Sequence, residues 1–415
     1  MKKTMLLILA MAVCLSVFAN GFNLNTIGAK AFGMGGAMIG LADDPTAIFW
    51  NPAGLATQGN AFQLVGHDIM PAFTYKYDAA MIDAEADAQH FISPALFWNH
   101  KVSPKMALGF GFYVPSGIGA RWDGADLANF NDPALNKTFD WESMVNVMHA
   151  GPAIAYQATD RLSLGATAEV SYGTMELHMA DDMDMNGLMD TQYNEESHGM
   201  GFGVNLGLKY QFENDFSIGA TYHSPVHFAF KQDDAEFIAP NGVGGFVTMN
   251  AEMTRYVTWP MMLGFGTSIK PKAWWTMTAD VQYTQWSIMD QLNTELDFDN
   301  DAMDQSKPTH LDWVDATQYR IGNEFKFNEM FVARLGYYYD PSPAPNETIN
   351  ILFPSHTYHA VTTGFGFQKC KFAADFGFEY LFGDERDAVA AFGAEMPGTY
   401  QMDIMSIALS LTYKY

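Results

Sequence analysis

From Leu162 to Tyr172 the chain alternates without a miss. Leu162, Leu164, Ala166, Ala168, Val170 and Tyr172 share one face, and Ser163, Gly165, Thr167, Glu169 and Ser171 share the other. A period of two residues is the period of a β-strand. The alternation returns at Met106, Leu108, Phe110 and Phe112, at Trp275, Met277, Ala279, Val281 and Tyr283, and at Phe372, Ala374, Phe376, Phe378 and Tyr380. One face of each run is broad and apolar, the other small and polar. A soluble β-helix or sandwich would turn its apolar face inward on shorter strands, whereas a membrane barrel turns it outward to lipid.

Carried along the chain, the pattern predicts fourteen strands, near 60–76, 89–101, 105–119, 143–158, 161–179, 197–212, 215–232, 257–270, 274–290, 313–327, 331–340, 356–368, 371–383 and 400–415. Their connections alternate in length. Short turns fall at Ser103-Pro104, Thr159-Asp160, Asn214, Pro271-Lys272, Asn328 to Met330 and Lys369-Cys370, while the connections between them are long and rich in Asp and Glu. Outer-membrane barrels have this asymmetry, with short turns toward the periplasm and long loops outside. The final strand runs to the last residue with Leu409, Leu411, Tyr413 and Tyr415 on one side. The expected fold is therefore all-β, a 14-stranded antiparallel transmembrane β-barrel whose closure removes exposed strand edges.

Lys2 and Lys3 precede an apolar stretch from Met5 to Val13 and a Val17-Phe18-Ala19 tripeptide, the pattern of a secretory signal peptide over residues 1–19. A lipoprotein reading of Cys14 would leave a very short apolar region, so Cys14 is expected to depart with the signal. Cys370 then stands alone, which excludes an intramolecular disulfide or a Cys-x-x-Cys pair. Loss of the two lysines takes the formal charge from −25 to −27 (−25 minus 2), a balance unsuited to nucleic acid. After residue 20 no run of roughly 18 apolar residues occurs, so membrane-spanning helices are not expected.

Residues 20–58 break the alternation, and 59–415 carry it. Glycines at 28, 33, 35, 36 and 40, an Asp43-Asp44-Pro45 helix start and an Asn51-Pro52-Ala53-Gly54 stop suit a compact segment in a confined space. Together with Gly21-Phe22, Gly33-Met34-Gly35, Ala42-Asp43-Asp44, Tyr113-Val114-Pro115-Ser116-Gly117, Asp280-Val281-Gln282-Tyr283 to Trp286 and Gly336-Tyr337-Tyr338-Tyr339-Asp340-Pro341-Ser342-Pro343, these pieces resemble the FadL/TodX family of outer-membrane transporters of hydrophobic compounds. The resemblance implies a barrel blocked by a small N-terminal hatch, capture of ligand at an outer apolar groove, and sideways release into the bilayer at a kink in the third strand. It implies Phe22 as a mobile latch, Asn51, Pro52 and Ala53 as the hatch motif, and Pro115, Gly117 and Gly119 as the kink. Independently, a proline with two nearby glycines disrupts ladder pairing, although the same three residues would also suit an ordinary strand end entering a loop.

An apolar tail leaves water at roughly 0.8 kcal/mol per buried methylene, so capture needs apolar surface more than charge. Two expected loops offer it, one with Met183, Met185, Leu188 and Met189, the other with Phe237, Ile238, Val243, Phe246, Val247 and Met249. The bland reading is that these residues pack the loops together. A carboxylate would want a cation in the bore. With a three-residue turn at Asn328 to Met330, Arg334 stands opposite Glu324 and Arg320 opposite Tyr338, which makes Arg334 a structural ion pair and Arg320 the freer candidate.

Asp182-Met183-Asp184-Met185-Asn186-Gly187 spaces oxygen ligands as a calcium loop does, but its twelfth position is Tyr193, so an acidic solvated loop is the expectation and no metal is assigned. His223 and His227 stand about 13 Å apart on one strand, too far to share an ion. No Gly-x-Ser-x-Gly nucleophile occurs, and the glycines near Gly35 do not follow a strand, so neither an enzyme nor a cofactor is expected. The partners expected are long-chain fatty acids or aromatic hydrocarbons and outer-membrane lipid, bound by a monomer. The alternatives are a barrel of this architecture that docks secreted proteins and an open general porin.

Overall fold

The computed structural model describes residues 21–135, 137–183, 189–213, 215–388 and 396–415. The signal at 1–19, Asn20, Met185, Leu188, the centre of the acidic loop and the turn residue Asn214 lie outside them.

Fourteen antiparallel strands close into a barrel. They are β1 Ala61–Tyr77, β2 Phe91–Ser103, β3 Met106–Trp122, β4 Trp141–Gln157, β5 Leu162–Asp181, β6 Thr191–Glu213 and β7 Phe216–His223, which resumes as Val226–Pro240. β8 is Phe246–Trp259 continued by Met262–Lys272, followed by β9 Trp275–Thr284, β10 Ala316–Lys326, β11 Phe331–Asp340, β12 Tyr358–Lys369, β13 Phe372–Gly383 and β14 Thr399–Lys414. Closure is made by β1 on β14, in one unbroken register from Ala61 opposite Lys414 to Lys76 opposite Thr399. The strands form because their outward residues are apolar: Leu108, Phe110, Leu164, Phe202, Phe265, Phe365 and Leu409 stand exposed around the wall, the surface that lipid covers.

The expected register between β10 and β11 is present, with Glu324 opposite Arg334 and Arg320 opposite Tyr338. One expectation needs correction. Phe237, Ile238, Phe246, Val247 and Met249 do not lie on an irregular loop but on the paired outer halves of β7 and β8, joined only by the tip at residues 241–245. Ser224-Pro225 in β7 and Pro260-Met261 in β8 divide each strand into a wall portion and an extracellular portion. Proline cannot donate to a ladder, so the pairing changes at these points. Below them β7 and β8 pair with each other and with their barrel neighbours; above them the sheet widens through Gln291–Phe298 and Gln305–His310.

Residues 21–58 lie within the bore. They form α1 Ala29–Gly33, α2 Ala47–Trp50 and a 3₁₀ turn Pro52–Thr57. Lumen-facing glycines let backbone meet backbone: a methyl on Gly336 of β11 would fall 2.6 Å from the Met34 carbonyl carbon, and one on Gly40 would fall 2.5 Å from Thr267 N of β8. Ile27, Met34, Met38, Ile39, Ile48, Trp50 and Leu55 form a core with inward residues of β1 to β4. A second, larger apolar cluster fills the extracellular mouth.

Candidate functional site

The luminal segment is tied to the wall along its length, from Gly28 N on His67 and Ile39 N on Asp280 to the three anchors that follow. Asn51, fully buried, donates from Nδ2 to Ile39 O at 2.9 Å and to Leu208 O of β6 at 3.0 Å, while its Oδ1 accepts from Ala53 N at 3.2 Å. The asparagine thereby caps the 3₁₀ turn that Pro52 starts and anchors it to the barrel. Toward the periplasm, Lys30 pairs with Asp43 at 2.8 Å and approaches Glu324 at 3.7 Å, and Arg334 joins Glu324 at 2.8 Å to Asp375 at 2.6 Å. At the other end Phe22 is sunk among Trp259, Trp286, Trp313 and Phe353, with ring centroids 4.8 to 6.3 Å away. Only 1% of Phe22 is exposed.

Beside Phe22 the wall is incomplete. The ladder between β2 and β3 runs from Ser103 opposite Met106 to Leu96 opposite Phe112 and stops. Above that point residues 91–95 of β2 pair with β1. Pro94 stands on this stretch and has no N–H to offer, a local reason for the ladder to end. On β3 the register with β4 slips between Tyr113 and Ser116, so Pro115 lies inside a bulge, and Gly117 and Gly119 follow it. The bulge reverses the sidedness of the strand: Tyr113 is buried before it, Ser116 and Trp122 after it.

The free edge of β3 is covered from within by the N-terminal strap. Gly117 N donates to Phe22 O at 3.0 Å, and Leu24 N donates to Pro115 O at 2.8 Å. Ser116 Oγ donates to Asn23 Oδ1 at 2.7 Å, and Trp259 Nε1 donates to Ser116 Oγ at 2.9 Å. Higher up, Ala86 bridges Trp122, and Asp87 N donates to Arg121 O at 2.8 Å. The result is a window bounded by Leu96 and Phe112 below and by Ala86 and Trp122 above. The Phe91 ring stands in it against Gly119, where an added methyl would fall 2.8 Å from the ring.

A cavity of about 90 Å³ lies behind this window, lined on the wall side by Ile69, Pro71, Phe91, Gly117 and Gly119 and on the inner side by Thr26, Asp340, His356, Tyr358 and Glu379. His356 comes from the extracellular connection before β12; its Nδ1–H donates to Asp384 O at 3.1 Å, and burial pushes its pKa down to about 4. Arg320 faces a separate pocket of about 20 Å³ across the strap. Its Nη1 donates to Asn25 O at 2.8 Å, its Nη2 to Gln318 Oε1 at 2.6 Å, and its guanidinium lies over the rings of Tyr338 and Trp50. The freedom expected of Arg320 is thus taken up by backbone that sequence alone does not place.

Among the extracellular residues, Met183 and Phe237 are buried in the large mouth cluster, with Met189 packed against it. Phe237 packs on Tyr193 and Phe298, whereas Phe246 is 40% exposed under Lys137 Nζ at 4.3 Å. Near Phe237 a groove of about 210 Å³ runs between Leu177, Met179, Tyr193 and Leu296, flanked by Arg255 and Lys307. Arg255 pairs with Glu195 at 2.7 Å and Lys307 with Asp181 at 2.6 Å. His223 packs on Phe49 inside the bore and His227 binds Thr258 Oγ1 outside it, so the two do not converge. Residues that sequence reasoning missed are Pro94, Phe91 and the aromatic cage of Phe22; of these Pro94, a proline inside an alternating run, carried a readable signal.

Residues 10–415 match the family described as outer membrane protein transport protein (OMPP1/FadL/TodX). The chain belongs to this family. It is an outer-membrane β-barrel, and no helix among its described residues is long and apolar enough to cross a membrane. The long-chain fatty acid transport protein of Escherichia coli K12 is 24% identical over 416 residues, covering 90% of this chain and 91% of that protein. Outer membrane protein P1 of Haemophilus influenzae is 22% identical over 322 residues, covering 70% of this chain and 66% of P1. The crystal structure of the Pseudomonas putida toluene transporter TodX superposes with a TM-score of 0.79 at 18% identity, covering 95% of this chain and all (100%) of that one, a likeness of fold.

Proposed function

We propose that this family member is a passive uptake channel for long-chain fatty acids or other hydrophobic compounds, with residues 20–58 serving as its hatch and the window between β2 and β3 as its exit into the bilayer. The observation that carries the reading is that window: the ladder ends at Leu96 and Phe112, and a cavity lies directly behind whose wall side is apolar. The names of the relatives, one a fatty acid transporter and one a toluene transporter, support the substrate class. Capture takes place on the apolar groove near Phe237 and on the exposed Phe246, because removing an apolar ligand from water supplies the driving force without a charged partner. Passage requires the strap at Phe22 to shift, which also frees Arg320 from Asn25 O to meet a carboxylate.

A Gly117→Cys variant in a Cys370→Ser background tests the exit. A bulky thiol-reversible label at 117 should stop uptake of a fluorescent fatty acid into cells, and reductant should restore it; uptake that ignores the label sinks the sideways route. Planar-bilayer recording separates the porin reading, since a filled bore passes little steady current.

A further inference from the structure

The bulge in β3 accounts for the shape of the window but not for what holds that strand away from β2. Tyr113 is the last residue before the register slips and the first past the final β2 partner, Phe112. The inward residues below it, Ala107, Gly109 and Gly111, are small, so Tyr113 is the first side chain on this strand that reaches into the bore. Its hydroxyl donates to Oε1 of Glu169 on β5. Asn205 of β6 donates from Nδ2 to the same oxygen at 2.7 Å, and His149 of β4, which stands opposite Tyr113, places Nδ1 at 3.1 Å from Oε2. One carboxylate therefore gathers four consecutive strands.

Glu169 is costly where it stands. It is 5% exposed, and its hydrogen-bond partners among the described residues are a phenol, an amide and an imidazole. Its neighbours on the inward row of β5 are Ser163, Gly165, Thr167, Ser171 and Gly173, which shows that the wall itself needs no acid there. A buried carboxylate persists where donors converge on it, and the geometry those donors then adopt is fixed by it. β5 and β6 pair without a break, and β4 keeps one register with β5 above and below a gap at Gly151 and Pro152, so these three strands form the rigid part, and Tyr113 is the part that is pulled. Without that pull, β3 could exchange its bonds to the strap for β2 above Leu96 at every position except Pro94 and Pro115, which have no N–H to donate.

We infer that Glu169 is a positioning residue for the lateral opening: through the Tyr113 hydroxyl it holds β3 inward and keeps the window between β2 and β3 from zipping shut. The inference rests on the sideways-release reading for its purpose, but its geometry can be measured apart from transport. Phe49 of α2 packs on Tyr113 at 5.5 Å, so the luminal segment leans on the same lever.

The test uses the full-length protein in lipid with Cys370→Ser and nitroxide labels at Ile92→Cys on β2 and Val114→Cys on β3, both on the outer side. Tyr113→Phe removes one oxygen and leaves Glu169 with Asn205 and His149. Glu169→Leu removes the acceptor, and Glu169→Gln keeps the oxygen that Tyr113 and Asn205 share. Expected are a shorter label distance and a loss of fluorescent fatty acid uptake in Tyr113→Phe and Glu169→Leu, with Glu169→Gln near the parent in both. A purely structural role would lower the unfolding temperature without moving the labels. Unchanged distances in Tyr113→Phe overturn the inference even when the Gly117 label still blocks uptake, an outcome that leaves the exit reading standing. A shortened distance with uptake indifferent to both the Gly117 label and Tyr113→Phe keeps the positioning role and removes the exit. If Glu169→Leu does not fold, Tyr113→Phe alone decides.

Discussion

Replacing Phe22 with alanine should unlatch the N-terminal strap. The ring is 1% exposed and meets four aromatic partners, whereas the rest of the strap is held to β3 by the Gly117 to Phe22 and Leu24 to Pro115 hydrogen bonds. Phe to Ala in a packed interior costs about 3–5 kcal/mol. Taking ~3 kcal/mol, because a terminal strap can partly refill its cage, and 1.4 kcal/mol per decade, the equilibrium for local opening rises by about two decades. The barrel should not follow, since its closing ladder does not involve Phe22. Hydrogen exchange read by mass spectrometry on peptides covering 21–27 and 113–120 measures this: both should exchange about a hundredfold faster, in step, while β10 and β11 stay protected. Phe376→Ala, a lipid-facing control 42% exposed, should change neither peptide. Unaltered exchange at 113–120 in Phe22→Ala would refute the claim that the strap, and not the wall, satisfies the edge of β3.

Three further outcomes are expected. Gly336→Ala should lower the unfolding temperature, at a cost of about 1–3 kcal/mol for forced overpacking, because the methyl meets the Met34 carbonyl, while Gly59→Ala, with nothing within 4 Å, should be silent. Arg334→Met leaves Glu324 and Asp375 without their shared cation and should destabilise by ~3 kcal/mol in a denaturant titration; adding Glu324→Gln and Asp375→Asn should recover most of it. His356 is neutral when docked, with its pKa lowered to about 4 by burial, and returns to about 6.5 when the connection undocks. Between those values the undocked state holds the extra proton, so docking weakens as pH falls from about 6.5 to about 4. Exchange of residues 341–357, divided by the intrinsic amide rate at each pH, should rise as pH falls through that window, and the rise should vanish in His356→Gln.

The barrel was legible because a wall facing lipid on one side and a bore on the other writes itself residue by residue. The pairing of Arg334 with Glu324 followed from keeping Ile321 and Leu335 on the lipid side. The outer halves of β7 and β8 were not legible as strands: beyond Pro225 and Pro260 no membrane enforces an apolar face, and Lys231, Asp233 and Glu236 interrupt the pattern. The luminal contacts were hidden for another reason. Arg320 is held by the carbonyl oxygen of Asn25 and Glu169 by groups on three other strands, and neither a carbonyl nor a partner so distant in sequence leaves a mark on local alternation. Pro115 announced the bulge, but the end of the β2 ladder depends on Pro94 as well, and one proline in an otherwise regular run reads equally as a harmless edge.

The backbone contacts between lumen-facing glycines and the enclosed segment bear on the order of biogenesis. Gly33 meets Gly364, Gly35 meets Gly336 and Ile39 meets Gly219, at spacings that leave no side-chain thickness between them. A tenant so closely fitted leaves no slack for it to pass, already folded, through a finished cylinder. Seating the first-made part of the polypeptide before the last-made strand docks beside the first would avoid that passage, and the sixteen paired positions that join β1 to β14 would then seal a vessel around its contents.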